Sequence, residues 1–276
     1  MKMGEKIRRK REEAGISQEQ LGEKLGVSFQ AVSNWERNSS LPDTAKLSML
    51  AKALNTSVSY LMGEAGSQDW DRFDRLFDED RMYTFIKAAA TAKGLHQTLQ
   101  ALPFAREKHK NQIRKGKACI PYISHPLTMC CQALALGLDE DDLLSATLLH
   151  DVVEDCEVSI SELPVEETAQ ETVRLLSKDK SHELDEEGYD KGYFEAIATS
   201  PHAMLVKLLD RCHNLSVMAS GFDRKRMGEY VTHTQVWVMP LADRLREMAP
   251  QYSNACFLLK YQMLSLMYTV QHLLGE

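Results

Sequence analysis

The run LLSATLLHDVVEDC at residues 143–156 constrains this chain more than any other segment. It opens on the longest apolar stretch of the sequence and then carries a His-Asp pair, His150 and Asp151, followed one helical turn later by Glu154 and Asp155. The apolar part is too short and too polar to cross a bilayer. A helix of this kind belongs in a core, and the charges at its end must then face something that compensates them. Residues one turn apart project to the same side, so the two acidic groups point toward the site that His150 and Asp151 begin.

The rest of the chain obeys the same period. From about Thr98 to the end, apolar residues recur at helical spacing with few β-branched alternations. No Gly-rich phosphate loop, no strand-turn-helix fingerprint and no fixed-period repeat interrupts them. The expected fold is therefore all-α. A length of 276 residues accommodates one large and one small domain. We place a small domain at 1–65, a linker and lead-in helix at 66–97, and a larger domain at 98–276. In the lead-in, Trp70, Phe73, Leu76, Phe77 and Phe85 form the apolar side of an amphipathic helix, and its acidic residues form a solvated face. Charge and glycine between Asp179 and Gly192 predict a mobile loop. Six cysteines without C-x-x-C spacing, and an N-terminus lacking an apolar stretch, fit reduced thiols in a cytoplasmic protein with no membrane partner.

Residues 4–63 read as five short helices. Ser17 with Gln20 makes a capping box, Ser28 caps the third helix, Asp43 or Thr44 the fourth and Ser57 the fifth, and Gly26 fits a tight helix-to-helix turn. Ile7, Ile16, Leu21, Leu25, Val27 and Val32 supply the first half of a shared core, and Trp35, Leu47, Leu50, Leu54, Val58 and Leu61 the second. Residues 1–65 hold 10 Lys/Arg against 8 Asp/Glu, whereas the whole chain carries −7, so any contact with nucleic acid falls to this head. With its Trp35-Glu36-Arg37 ending and the Pro that follows, the stretch resembles the lambda-repressor/Cro family of helix-turn-helix domains. Gly22 stands where that family usually has Ala, which by propensity alone loosens the second helix by up to roughly 1 kcal/mol. The resemblance implies DNA as a partner. Phe29, Gln30 and Asn34 then meet base edges from the third helix, while Gln18, Ser28 and Arg37 hold phosphates. So few positive charges imply weak non-specific binding and hence a homo-oligomer, a dimer on paired half-sites.

Four segments of the larger domain belong together: 104–127, 143–156, 175–180 and 204–215. His125 and Asp210 can complete a set with His150 and Asp151 that suits a divalent ion such as Mn²⁺. Glu154 and Asp155 can accept the proton of an attacking water, and Arg114, Lys115 and Lys117 supply cations for a phosphate-rich substrate. His125-Pro126 after PYI, His150-Asp151 before VVED, and KLLDRCHN, in this order, resemble the HD-type hydrolase domain of the RelA/SpoT family over roughly residues 98–250. The resemblance implies His125, His150, Asp151 and Asp210 as ligands of Mn²⁺ or another divalent metal, with Glu154 and Asp155 as catalytic acids. It further implies Arg114, Lys115 and Asn214 as contacts to a guanine-nucleotide alarmone, and His213 as a supporting group. The implied reaction removes the 3′-pyrophosphate of (p)ppGpp, leaving GDP or GTP. Ser216-Val217 replaces the family's usual Arg-Thr, which alters part of the nucleotide contact. Alternatives are another nucleotide such as NADPH, a transcriptional regulator that senses a nucleotide without turnover, and an antitoxin. Asp243-Arg244 repeats the Asp210 context without the trailing His-Asn and reads as a surface pair. His96, His109, His182, His202, His233 and His272 read as solvent-facing or core histidines.

Overall fold

The computed structural model describes residues 3–54, 56, 58–62, 78–114, 120–178 and 187–275. The chain divides into two compact units, residues 1–76 and 77–276. Both are helical, and among the described residues the β pairing is one antiparallel bridge, Ile113 to Pro121.

The first unit holds α1 (Met3–Glu13), α2 (Gln18–Leu25), α3 (Phe29–Glu36), α4 (Thr44–Ala53) and α5 (Val58–Met62). Its boundaries follow the capping chemistry. Ser17 and Gln20 close a reciprocal box, and the side chains of Ser28 and Asp43 accept from Ala31 N and Lys46 N. Gly26 turns the chain at φ +62°. Ser57 lies outside the described residues. The twelve apolar residues expected in the core all belong to one cluster, nine of them buried and Ile16, Val27 and Val58 packed at its edge. A buried carboxylate ties three helices together. Glu36 accepts from Arg11 Nε at 2.6 Å and Nη2 at 3.2 Å, and from Gln18 Nε2 at 2.8 Å.

The second unit begins with α6 (Glu79–Lys93) and α7 (His96–Lys108). Residues 63–77, with Trp70, Phe73, Leu76 and Phe77, lie outside the described residues. Phe85 departs from expectation: it is exposed, and α6 buries Met82, Ile86 and Ala90 instead. Those three share a stripe of four-residue spacing, and Phe85 falls one position off it. Leu95 cannot cap α7, and Asp141 does so from another helix, accepting from Gln97 N at 2.9 Å and Thr98 N at 2.7 Å.

Three mutually packed helices form the centre: α8 (Ser124–Ala135), α9 (Asp141–Leu149) and, after α10 (Val152–Asp155) and α11 (Glu167–Leu176), α13 (Pro201–Val217). Every residue of α9 from Leu143 to Leu149 is buried, as a helix apolar on all sides requires. Between α11 and α13 runs α12 (Glu187–Ile197), so residues 187–192 of the expected loop are helical, and residues 179–186 lie outside the described residues. Asp190, Tyr193, Phe194 and Ile197 turn inward at helical spacing and hold this segment as a helix despite its glycines. A π-helical stretch, Thr234–Val238, joins α14 (Arg224–His233) to α15 (Met239–Met248), and α16 (Ser253–Leu274) completes the unit. No helix among the described residues is long and apolar enough to cross a membrane. The five described cysteines are unpaired.

Gly22 has a packing reason that its propensity conceals. A Cβ there would stand 2.7 Å from the carbonyl oxygen of Val27, and backbone cannot swing aside. Gly22→Ala is therefore expected to destabilise the first unit by up to about 2 kcal/mol, because an overpacking cost of ~1–3 kcal/mol against rigid backbone outweighs the ~1 kcal/mol propensity gain. Hydrogen exchange of α2 and α3 amides measures it, and slower exchange in the variant would overturn the reading.

Candidate active site

The ends of the three central helices converge. α8 brings His125, the end of α9 brings His150 and Asp151, and α13 brings Asp210 and, one turn on, His213 and Asn214. One ligand atom each from His125, His150 and Asp151 lies within 4.8 Å of the others. Asp210 joins them, its Oδ1 standing 3.2 Å from His125 Nε2.

Hydrogen bonds decide which imidazole nitrogens are bare. His150 Nδ1 is 2.9 Å from the carbonyl of Thr147, which only accepts, so the proton sits on Nδ1 and Nε2 carries a lone pair. The tautomer of His125 is set through its neighbour His213. Arg114 Nη1 lies 3.0 Å from His213 Nδ1, and a guanidinium only donates, so His213 Nδ1 is an acceptor. His125 Nδ1, 2.8 Å from the same atom, must then be the second donor, which leaves His125 Nε2 bare as well. The two Nε2 atoms look onto carboxylates: His150 Nε2 is 3.0 Å from Asp151 Oδ2 without hydrogen-bond alignment, and His125 Nε2 is 3.7 Å from that oxygen.

The titration of these groups shows where the site draws positive charge. Burial holds His125 below its ordinary range. Burial, the neighbouring His125 and Arg114 together depress His213 to about 3, which keeps it a neutral acceptor. Burial opposes charge on His150 too, yet the carboxylates of Asp151 and Asp210 prevail and raise it to about 9, so without a cation Nε2 takes up a proton, the one a bound metal would displace. Burial pushes Asp151 and Asp210 upward, but His150 pulls the first below the usual carboxylate range and Lys207 the second. Converging lone pairs and anionic oxygens demand positive charge between them, and a hard or borderline divalent cation with N and O ligands fits this donor set.

The site opens into a cavity of about 210 Å³ lined by Tyr122, Glu154, Asp155, Lys178, Lys207 and the groups above. Glu154 is half-buried, accepts from Lys178 N at 3.1 Å, and has its carboxyl raised by burial. Asp155 is exposed at the rim, where its carbonyl accepts from Gln112. Arg114 is anchored from behind, donating to Asn214 Oδ1 as well as to His213, and Asn214 in turn donates to Asp210 Oδ1. Lys115 and Lys117 fall outside the described residues.

Sequence reasoning passed over four wall residues. Lys207, half-buried in the cavity wall, donates to Asp210 Oδ2 at 3.0 Å. Lys178 donates to Asp190 at 3.1 Å and lies 4.7 Å from the centre of the Tyr193 ring. Tyr122 donates to Asp151. Both lysines sit inside the segments KLLDRCHN and LLSK that were grouped with the site, and a lysine one turn before a buried aspartate was the available signal. Of the histidines set aside, His109 is buried, held by Gln112 at 2.6 Å and packed on Tyr122, while His202 meets Glu140 and His233 meets Asp190. His96 and His272 are exposed, and His182 lies outside the described residues. Asp243 is a surface pair, with Lys260 rather than Arg244 as its partner at 2.7 Å.

In the first unit, Ser28, Phe29 and Gln30 stand exposed at the start of α3. Asn34 Oδ1 accepts from exposed Arg37 at 3.0 Å, and Gln18 is held by Glu36.

Comparison with known proteins adds two family matches: a helix-turn-helix family over residues 7–61 and the HD domain over residues 101–247. The chain is similar to the guanosine-3′,5′-bis(diphosphate) 3′-pyrophosphohydrolase of Aquifex aeolicus, 34% identical over 151 residues, which is 53% of this chain and 21% of that protein. It thus spans about a fifth of that relative's length. The mouse protein of the same description is 33% identical over 141 residues, 49% of this chain and 78% of the relative. A solved structure of a metazoan ortholog of SpoT, described as hydrolysing ppGpp and acting in starvation responses, superposes with a TM-score of 0.51 at 26% identity, covering 63% of this chain and 94% of that one.

Titration of Mn²⁺ into metal-free protein is expected to show one site per chain that His150→Ala abolishes. His213→Ala should weaken it about 10–100-fold by releasing the ring of His125. Equal affinity in all three proteins would refute the ligand geometry.

Proposed function

This chain belongs to the HD-domain family, and from that premise we propose that it is a metal-dependent phosphohydrolase that removes the 3′-pyrophosphate of guanosine tetra- or pentaphosphate, with a DNA-binding head. The observation that carries the reading is the pair of Nε2 atoms of His125 and His150 turned onto the carboxylates of Asp151 and Asp210, with both Nδ1 atoms engaged elsewhere. Those four residues would hold the cation, Mn²⁺ in our reading. When bound, such an ion supplies charge neutralisation and Lewis acidity at the reacting phosphate.

The remaining steps belong to the chain. The cavity of about 210 Å³ is smaller than the ~300–1,000 Å³ of pockets that enclose a whole drug-sized ligand, so it takes the pyrophosphate end and leaves the nucleoside outside. Lys178 and Lys207 make its wall cationic, and Arg114 and Lys115 would meet the nucleotide side. Glu154, held at one oxygen by Lys178 N, takes the proton of the attacking water, and Asp155 at the rim assists. Water adds to the phosphorus bound to the 3′-oxygen, that P–O bond breaks, and the nucleoside oxygen leaves with a proton. Such nucleotides place the reaction in the cytoplasm. At the head, Phe29, Gln30 and Asn34 would read bases while Arg37, Ser28 and Gln18 hold the backbone.

Chromatography of a nucleotide panel incubated with Mn²⁺ tests the chemistry. ppGpp should yield GDP and intact pyrophosphate, and Glu154→Gln should lower turnover about 10²–10⁴-fold. Because burial raises this carboxyl, the ascending limb of the pH–rate profile should lie above the usual glutamate range and vanish in Glu154→Gln. Preference for a nucleotide without a 3′-pyrophosphate, NADPH included, would replace the substrate; binding without turnover would make the domain a sensor.

Selection from random duplexes tests the head. An enriched motif is expected, and Gln30→Ala should lose about 1–3 kcal/mol of discrimination at one base pair. Absence of any motif would assign the head to a protein partner.

A further inference from the structure

The C-terminal helix α16 is apolar on two sides. One side, Ala255, Cys256, Leu259, Met263 and Met267, is buried against α13, α14 and α15. On the other, Phe257, Leu258, Tyr261, Leu264 and Tyr268 are each between 47% and 75% exposed within their unit. An apolar helix face of this size calls for cover, and the second face of α16 lacks it within its unit. The helix begins at Ser253, beyond the end of the HD-domain match at residue 247.

The spacing says what covers it. Phe257, Tyr261, Leu264 and Tyr268 follow one another at intervals of four, three and four residues, the seam of a two-helix coiled coil. Phe257 and Tyr261 already stack, with ring centres 6.4 Å apart, and present one flat apolar face. Charge is nearly absent: between residues 253 and 274 Lys260 is the single Asp, Glu, Lys or Arg, and Asp243 of α15 binds it at 2.7 Å through both oxygens. A neutral stripe has no repulsion against its own copy. With about 150–250 Å² for each aromatic side chain, the stripe exposes on the order of 600 Å². A symmetric pair then buries on the order of 1,200 Å², the lower edge of the range for specific interfaces.

We propose that this stripe of α16 is a homodimer interface, in which a second copy of the chain packs the same helix against it about a twofold axis. The dimer supplies the two heads that the DNA reading requires, but it rests on α16 alone, so loss of the DNA reading leaves it standing.

Sedimentation of the full chain over a dilution series tests the proposal. A reversible dimer is expected at tens of micromolar, by analogy with small interfaces of this size. Tyr261→Glu with Tyr268→Glu should weaken pairing roughly 100-fold or more, with helical content and HD-domain melting unchanged, while Tyr261→Phe keeps it. If the double variant does not fold, footprinting of Tyr261 and Tyr268 in the unmodified protein decides: protection that rises with concentration supports the dimer. Protein that stays monomeric throughout the series overturns it. So does a double variant that still dimerises, or tyrosine protection independent of concentration, which would mean cover from within the same chain.

Discussion

Two bare imidazole nitrogens and two carboxylates held together inside an apolar core repel one another unless positive charge lies among them. The second unit is organised around that constraint. Such a group would be far too costly to assemble in an interior of low dielectric without compensation. Its members therefore come from the ends of separate, well-buried helices, α8, α9 and α13, whose packing holds them against their repulsion. The fully buried α9 explains why the charged residues follow it rather than interrupt it: Leu143 to Leu149 anchor the helix, and His150 is the first position free to face the cavity.

The hydrogen bonds behind the site perform a second task, which is to choose tautomers. Thr147 O selects the proton position of His150 directly. Arg114 selects that of His125 at one remove, through His213, because a guanidinium cannot accept. Arg114 thus has a structural duty alongside any contact with a nucleotide, and its bond to Asn214 carries the same order on to Asp210. Any alteration of Arg114 reaches both a histidine and an aspartate of the cluster.

Much of this was legible in the sequence, for identifiable reasons. Capping residues act on neighbours three positions away, so Ser17, Ser28 and Asp43 announced their helices, and apolar period alone placed the core of the first unit. His125, His150, Asp151 and Asp210 stood out because PYISHP, HDVVED and KLLDRCHN follow one another in that order, each with a coordinating side chain. What escaped depends on distant partners. Asp190 gives α12 its inward face through Lys178 and His233, residues 12 and 43 positions away, and charge counting alone read the segment as a loop. Phe85 failed for the opposite reason, since an aromatic residue one position off the stripe looks identical in composition to one on it.

Gly22 and Lys207 show why residue type is a poor guide until the neighbour is known. By propensity Gly22 weakens α2, yet the carbonyl of Val27 occupies the space a side chain would need, so the glycine permits the close α2–α3 turn. By hydropathy Lys207 does not belong in a core. Burial acts to discharge it, but Tyr193 and Asp210 hold its pKa above the ordinary lysine value, and its ammonium stays charged beside Asp210. That fixed cation offsets part of the negative charge of Asp210 from the side away from His125, and its attraction is the leading favourable influence keeping Asp210 ionised. A carboxylate so held stays ionised well below the usual carboxylate range and keeps a negative oxygen facing the cluster. The demand for a cation at the mouth of α9 is thus built into the core behind it.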